Sequence, residues 1–181
     1  DLIGMEGIEE KHLISYTYPS DEELARVGVT GLFLGHYIPW DGLANGLIAQ
    51  ANGFHTYDKI VEGSMVNYEN LDNHQTGIHD YFKFLKFGFG RAPDLACMHI
   101  RRGRLTRQDG LEAVKRLDGT FPWTYLGKPL EEILRPLDIT MDEFIKLCDK
   151  FTNKKIFKRG SSGALIKDRD GHLTKINYDN I

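Results

Sequence analysis

Ten residues, 29–38 (VTGLFLGHYI), constrain the fold of this chain more than any other stretch. They are dense in apolar, β-branched and aromatic side chains with little alternation. That pattern predicts a strand buried on both faces, as in a parallel sheet. Pro39-Trp40-Asp41 breaks the run, and Asp41 is placed to N-cap a helix over 42–52. Ahead of it, residues 11–18 (KHLISYTY) read as a short strand. Ser20 and Glu23 form a capping box for a helix that Gly28 stops. Strand, helix, strand, loop and helix is the rhythm of an α/β layer. So few strands cannot complete a doubly wound sheet, and residues 1–55 therefore read as the tail of one. The chain starts at Asp1 without an initiator methionine while these patterns are already under way, so a segment of a longer polypeptide is expected.

The character changes after about residue 60, and residues 56–181 read as a mainly helical region. Over 76–88 an amphipathic helix carries Ile78, Tyr81, Phe82, Leu85 and Phe89 on one face and His79, Lys83 and Lys86 on the other. Gly88 and Gly90 end it, and Pro93 suits the first turn of the next helix, to about Arg102. Thr106 caps a third helix, with Asp109 in its first turn and Leu111, Val114 and Leu117 buried. Thr140 and Glu143 make a second capping box, followed by a stripe of Met141, Phe144, Ile145, Cys148 and Phe151. The end reads as a β-hairpin: 164–167, a turn over 168–171, then 172–176.

Composition excludes several classes. A formal net charge of −3 argues against a nucleic-acid-binding protein. No apolar run approaches the roughly 20 residues of a membrane span, and no signal peptide is present, so a cytoplasmic protein is expected. Cys97 and Cys148 sit in helical apolar patterns and read as buried, reduced thiols. Two cysteines cannot build a cysteine zinc site. His74 and His79, five residues apart, share no helical face and have no obvious third ligand, so no metal is expected.

The polar face of the 76–88 helix is the main chemical candidate. His79, Asp80, Lys83, Lys86 and Arg91 concentrate charge at one helix end. Cations there complement the helix dipole without any function. The alternative is an anion clamp, with Arg91 projecting from the sharp turn of Gly88-Phe89-Gly90 and offering a bidentate fork. Asn67, Glu69 and Asp72 crowd the loop before this helix, as ordinary loop polarity or as sugar or nucleotide contacts. His36 and Asp41 flank the end of the expected strand, where open α/β sheets bind ligands. Trp40 either stacks on a ring there or is buried. Arg101, Arg102, Arg104 and Arg107 make a basic cluster that reads as a solvated face. Gly160-Ser161-Ser162-Gly163 reads as a turn before the hairpin, although its amides suit an anion nest.

The run 66–94, VNYENLDNHQTGIHDYFKFLKFGFGRAPD, resembles the C-terminal block of the N-acetyl-sugar amidotransferase family. Its core is Gly77, His79, Asp80, Tyr81, Lys83, Lys86, Gly88, Gly90, Arg91 and Asp94. Leu34-Gly35, Ile38-Pro39-Trp40-Asp41 and Arg101 to Arg107 continue the likeness, which covers roughly residues 29–118. Pro93 departs from the threonine expected before Asp94. The resemblance implies an α/β fold: the C-terminal part of a PP-loop (adenine nucleotide alpha-hydrolase-like) parallel sheet in 1–55, then the helical region with its terminal β-hairpin. It implies an enzyme that converts the acetamido group of a nucleotide-linked sugar into an acetamidino group. ATP, with Mg²⁺, would adenylate the amide oxygen, and ammonia from a separate glutaminase and synthase-like pair would displace AMP. On that implication Lys83, Lys86 and Arg91 contact the substrate diphosphate or AMP and pyrophosphate, Asp94, Asn67 and Glu69 join the substrate-binding set, His79 and Asp80 do acid–base work, and Trp40 and Asp41 shape the sugar pocket. The Ser-Gly-Gly-x-Asp-Ser loop that such enzymes use for ATP does not occur in the 181 residues. ATP chemistry is therefore expected to need more than this chain. A docking module for the ammonia-supplying partner is the alternative reading. Another adenylating ligase ranks below both, because such relatives lack the 77–94 block.

Overall fold

A computed structural model describes residues 5–169 and 172–176. It divides after Asp41 into two units, Asp1–Asp41 and Gly42–Ile181.

In the first unit, helices α1 (Glu10–Leu13), α2 (Asp21–Val27) and α3 (Leu34–Tyr37) are joined by irregular chain. The Ser20–Glu23 capping box and the left-handed Gly28 stop of α2 are as expected. Both expected strands are overturned. Residues 11–18 form α1 and a 3-10 turn over Ile14–Tyr16. Residues 29–38 are irregular chain and the short α3, and Leu32, Phe33, Leu34, Tyr37 and Ile38 are exposed. The physical reason is common to both. A strand is stable only when paired, and no strand lies among the described residues of this unit. None of residues 5–40 is buried.

The second unit begins with α4 (Gly42–Ala51), close to the expected helix. It passes next to the loop at 68–69: a Cβ on Gly42 would lie 2.8 Å from Glu69 Oε1, and one on Gly46 would lie 3.2 Å from the Tyr68 ring. Helices α5 (Thr76–Phe87), α6 (Ala92–Arg101) and α7 (Arg107–Leu117) follow. Then come a two-residue antiparallel hairpin, β1 (Thr124–Tyr125) with β2 (Lys128–Pro129), and helices α8 (Leu130–Leu134) and α9 (Met141–Phe151). The sheet content is thus this small antiparallel pair; no parallel sheet occurs among the described residues. No helix among them is long and apolar enough to cross a membrane.

The core gathers Phe84 and Leu85 of α5, Leu130 and Leu134 of α8, Phe144 and Cys148 of α9, and Phe157. A smaller cluster joins Val61, Tyr125 and Ile133. Phe84, absent from the expected apolar stripe, is buried in the core, and Phe89 is exposed instead. On α7, Leu111 is exposed and Gly110 is buried, because the pairing of α6 with α7 is close enough that a Cβ on Gly110 would lie 2.9 Å from Ile100 Cδ1. On α9, Phe144 and Cys148 face the core, while Ile145 and Phe151 at the edges of the stripe are exposed. Cys97 is exposed, contrary to expectation, since it lies off the buried Leu95–Ala96 face of α6.

The C-terminal segment exceeds a hairpin. Lys167 bridges Leu173 antiparallel as expected, and Phe157 and Arg159 add bridges to Lys175 and Leu165. Backbone bonds close a ring: Lys158 N–H donates to Thr174, Thr174 to Ile166, and Ile166 to Lys158. Asp170 and Gly171 of the expected turn lie outside the described residues.

Candidate functional site

Helix α5 ends where Gly88 turns left-handed (φ 80°) and donates its N–H to Phe84 O. Five residues later Pro93 sits in the first turn of α6. This tight connection brings two three-residue spacings face to face. Asp80 and Lys83 lie on α5, and Arg91 and Asp94 open α6. Their charges run in opposite order and so match across the turn. Arg91 Nε donates to Asp80 Oδ2 at 3.2 Å, and the Lys83 ammonium donates to Asp94 Oδ2. Lys83 Nζ also donates to Gly90 O at 3.0 Å and lies over the Phe89 ring, 4.9 Å from its centroid. Arg91 is held charged more firmly than usual: burial opposes the charge, but the bond and attraction to Asp80, with Glu69 and Asp94 behind, win.

His79 sits one residue before Asp80, its Nδ1 3.0 Å from Asp80 Oδ1. Its side chain is 73% exposed, against 15% for that of Asp80. Asp80 therefore links an outward imidazole to a half-buried guanidinium. If Nδ1 carries the proton, Nε2 is left as an acceptor directed away from the carboxylate.

Two groups absent from the sequence reading complete the cleft. Asp118, at the end of α7, accepts the Gly90 N–H with Oδ1 and Oδ2, at 2.9 and 3.1 Å. Burial pushes its carboxyl above the usual range, against the Gly90 bond and the charges of Lys175 and Lys83. Glu62 accepts from Leu126 N–H at 2.9 Å, Gly127 N–H at 3.3 Å and Thr124 Oγ1 at 3.0 Å, and so ties the β1–β2 turn down. No local pattern marks either residue, because the partners lie 28 and 64 positions away. Asp80, Arg91, Asp118, Glu62 and Tyr125 line a cleft of about 30 Å³. Tyr125 donates its hydroxyl to Asn70 O at 3.3 Å, and burial pushes its phenol up to about 12.

The structure thus brings together His79, Asp80, Lys83, Arg91 and Asp94, with Glu69 close enough to act on Arg91. Lys86 points elsewhere, over the rings of Phe82 and Phe151 at 5.9 and 5.1 Å. Asn67 spends its side-chain amide internally, donating to Tyr57 O at 2.9 Å and Thr56 Oγ1 at 3.3 Å. In the first unit Trp40 is 72% exposed and Asp41 is buried.

The family model described as LPS biosynthesis protein WbpG-like, C-terminal domain, matches residues 54–168. The match contains α5, α6, the two ion pairs between them, Glu62 and Asp118. No curated protein matches the chain.

Proposed function

The chain belongs to this WbpG-like C-terminal domain family, and on that premise we propose that it is the substrate-side part of an ATP-dependent amidotransferase of lipopolysaccharide biosynthesis. In this reading the acetamido group of a nucleotide-linked sugar becomes an acetamidino group in the cytoplasm. The amide oxygen attacks the α-phosphorus of ATP and pyrophosphate leaves. Ammonia, supplied by a glutaminase and synthase-like pair, then adds to the activated carbon, and AMP departs with the former amide oxygen. Adenylation is needed because an amide oxygen is otherwise a poor leaving group.

The observation that supports this assignment is the fixed line His79–Asp80–Arg91. Asp80 orients the imidazole, and His79 Nε2 takes the proton that attacking ammonia must lose. Arg91 pairs with Asp80 and presents the rest of its guanidinium to the substrate's phosphates, as Lys83 presents its ammonium. Asp94 keeps Lys83 in place. ATP enters as co-substrate. A cleft of about 30 Å³ is too small to enclose a triphosphate, so no step of ATP binding is assigned to these residues. No group of three or more His, Cys, Asp or Glu is poised for a metal among the described residues, and Mg²⁺ would arrive with ATP.

The exposed run 29–38 fits the same reading. Paired into the parallel sheet of an adjoining PP-loop layer, it would become the inner strand that its composition predicts, with residues 1–55 as the end of that layer and 56–181 as the helical substrate region. The same exposed apolar side chains favour a second reading, a docking module for the ammonia-supplying partner.

The test is a longer enzyme that carries an ATP loop, assayed with nucleotide-linked N-acetyl sugars, ATP and ammonia. Mass spectrometry is expected to show ATP-dependent replacement of oxygen by NH. No ATP-dependent product from any such sugar would sink the reading. Co-purification with a glutaminase, without sugar-nucleotide affinity, would favour docking.

A further inference from the structure

Tyr81 and Thr120 each line two cavities. On one side is the Asp80–Arg91 cleft. On the other is a larger cavity of about 420 Å³, within the roughly 300–1,000 Å³ of small-ligand pockets. Its apolar wall is built from Phe121, Trp123 and Tyr81: the Phe121 and Trp123 ring centroids are 4.5 Å apart, and Tyr81 meets Phe121 edge-on at 5.3 Å. Trp123 is 63% exposed, although its backbone is fixed. Its N–H donates to Phe121 O at 2.8 Å, and its carbonyl accepts the Leu130 N–H at 2.8 Å. A rigidly mounted, exposed indole on a cavity wall is a stacking platform.

The polar lining is mixed in sign. Asp149, Lys167 and His172 face the same cavity, a carboxylate, an ammonium and an imidazole. Cys148 lines it as a neutral thiol, since burial, with Asp149 adding, pushes it up to about 12. A strong anion would meet Asp149 and a cation would meet Lys167. A wholly apolar ligand would strip water from both without replacing it. A neutral ring with a C–H face and a rim of hydroxyls satisfies every group: its face lies on Trp123, and its hydroxyls donate to Asp149 and accept from Lys167 and His172.

We propose that the cavity walled by Trp123 and Phe121 is a carbohydrate site that takes a neutral pyranose ring. The ring then lies on Trp123, and not in the region of Trp40 and Asp41 expected from the sequence. This placement rests on the function proposed above only in identifying that ring with the substrate's sugar; binding itself needs neither ATP nor ammonia.

Saturation-transfer NMR on the 181-residue chain, with N-acetylglucosamine, N-acetylgalactosamine and glucose as probes, tests it. Transfer to ring protons of at least one probe is expected, retained in Trp40→Ala and abolished in Trp123→Ala. Asp149→Asn, which leaves the aromatic wall intact, is expected to weaken binding about tenfold and serves if Trp123→Ala fails to fold. No transfer from any probe to the wild-type chain would overturn the proposal, as would loss in Trp40→Ala with retention in Trp123→Ala. A longer enzyme that binds sugar through Trp123 yet makes no amidine would count against the chemistry above and leave this site standing.

Discussion

The Gly90 N–H donates to both carboxylate oxygens of Asp118, at 2.9 and 3.1 Å, while the Gly90 carbonyl accepts from Lys83 at 3.0 Å. One residue is therefore gripped from opposite sides, and the next residue is Arg91. Asp118→Ala leaves a half-buried N–H without its acceptor, a loss of about 1–3 kcal/mol. Asp118→Asn keeps one acceptor oxygen and should lose less. Urea melts of both variants measure the difference; equal stability of Asp118→Ala and wild type would show that the contact does not hold the turn.

Gly77 gives a prediction whose sign decides. In an exposed helix, glycine to alanine stabilises by roughly 1 kcal/mol. Here a Cβ would come within 2.6 Å of the Tyr125 ring, itself buried. Gly77→Ala is therefore expected to destabilise, by about 1–3 kcal/mol. A raised melting temperature would contradict the close approach of α5 to β1.

Glu62 predicts an acid limb. Burial alone would raise its carboxyl, but the bonds from Leu126, Gly127 and Thr124 prevail and lower it from the ordinary 4.5. A lowered carboxylate contributes stability above its unfolded value and loses it as pH falls through the folded one. Asp118, raised from 3.8, works in the opposite direction over the same acidic range. The stability difference between wild type and Glu62→Gln isolates the first effect. It should be constant near neutrality and shrink as pH drops below 4.5; a difference independent of pH would remove Glu62 as the anchor of the hairpin.

What was legible in the sequence was local. Ser20 with Glu23, Thr106 with Asp109 and Thr140 with Glu143 each cap a helix across three residues, and all three are found. The strands at 11–18 and 29–38 were not legible, because strand formation depends on partners that the same residues cannot specify. The site divides in the same way. Asp80, Lys83, Arg91 and Asp94 stand in one sequence block and meet across one turn. Their mutual pairing was not legible, since charge spacing does not reveal that the first turn of α6 lies beside α5. Lys86, three residues beyond Lys83, shares a polar face with it in the sequence pattern, yet the helical turn carries it to Phe82 and Phe151.

In the proposed enzyme the α5–α6 turn handles substrate. The most direct measurement is ATP-dependent amidination by a longer enzyme bearing Arg91→Ala, beside a thermal melt and Arg91→Lys. Arg91→Ala is expected to lower product formation at least about 100-fold, as removal of a positioned charge at a reacting centre does, with a melt that stays cooperative, and Arg91→Lys is expected to restore part of the rate. Full amidination by Arg91→Ala would contradict this role of the turn.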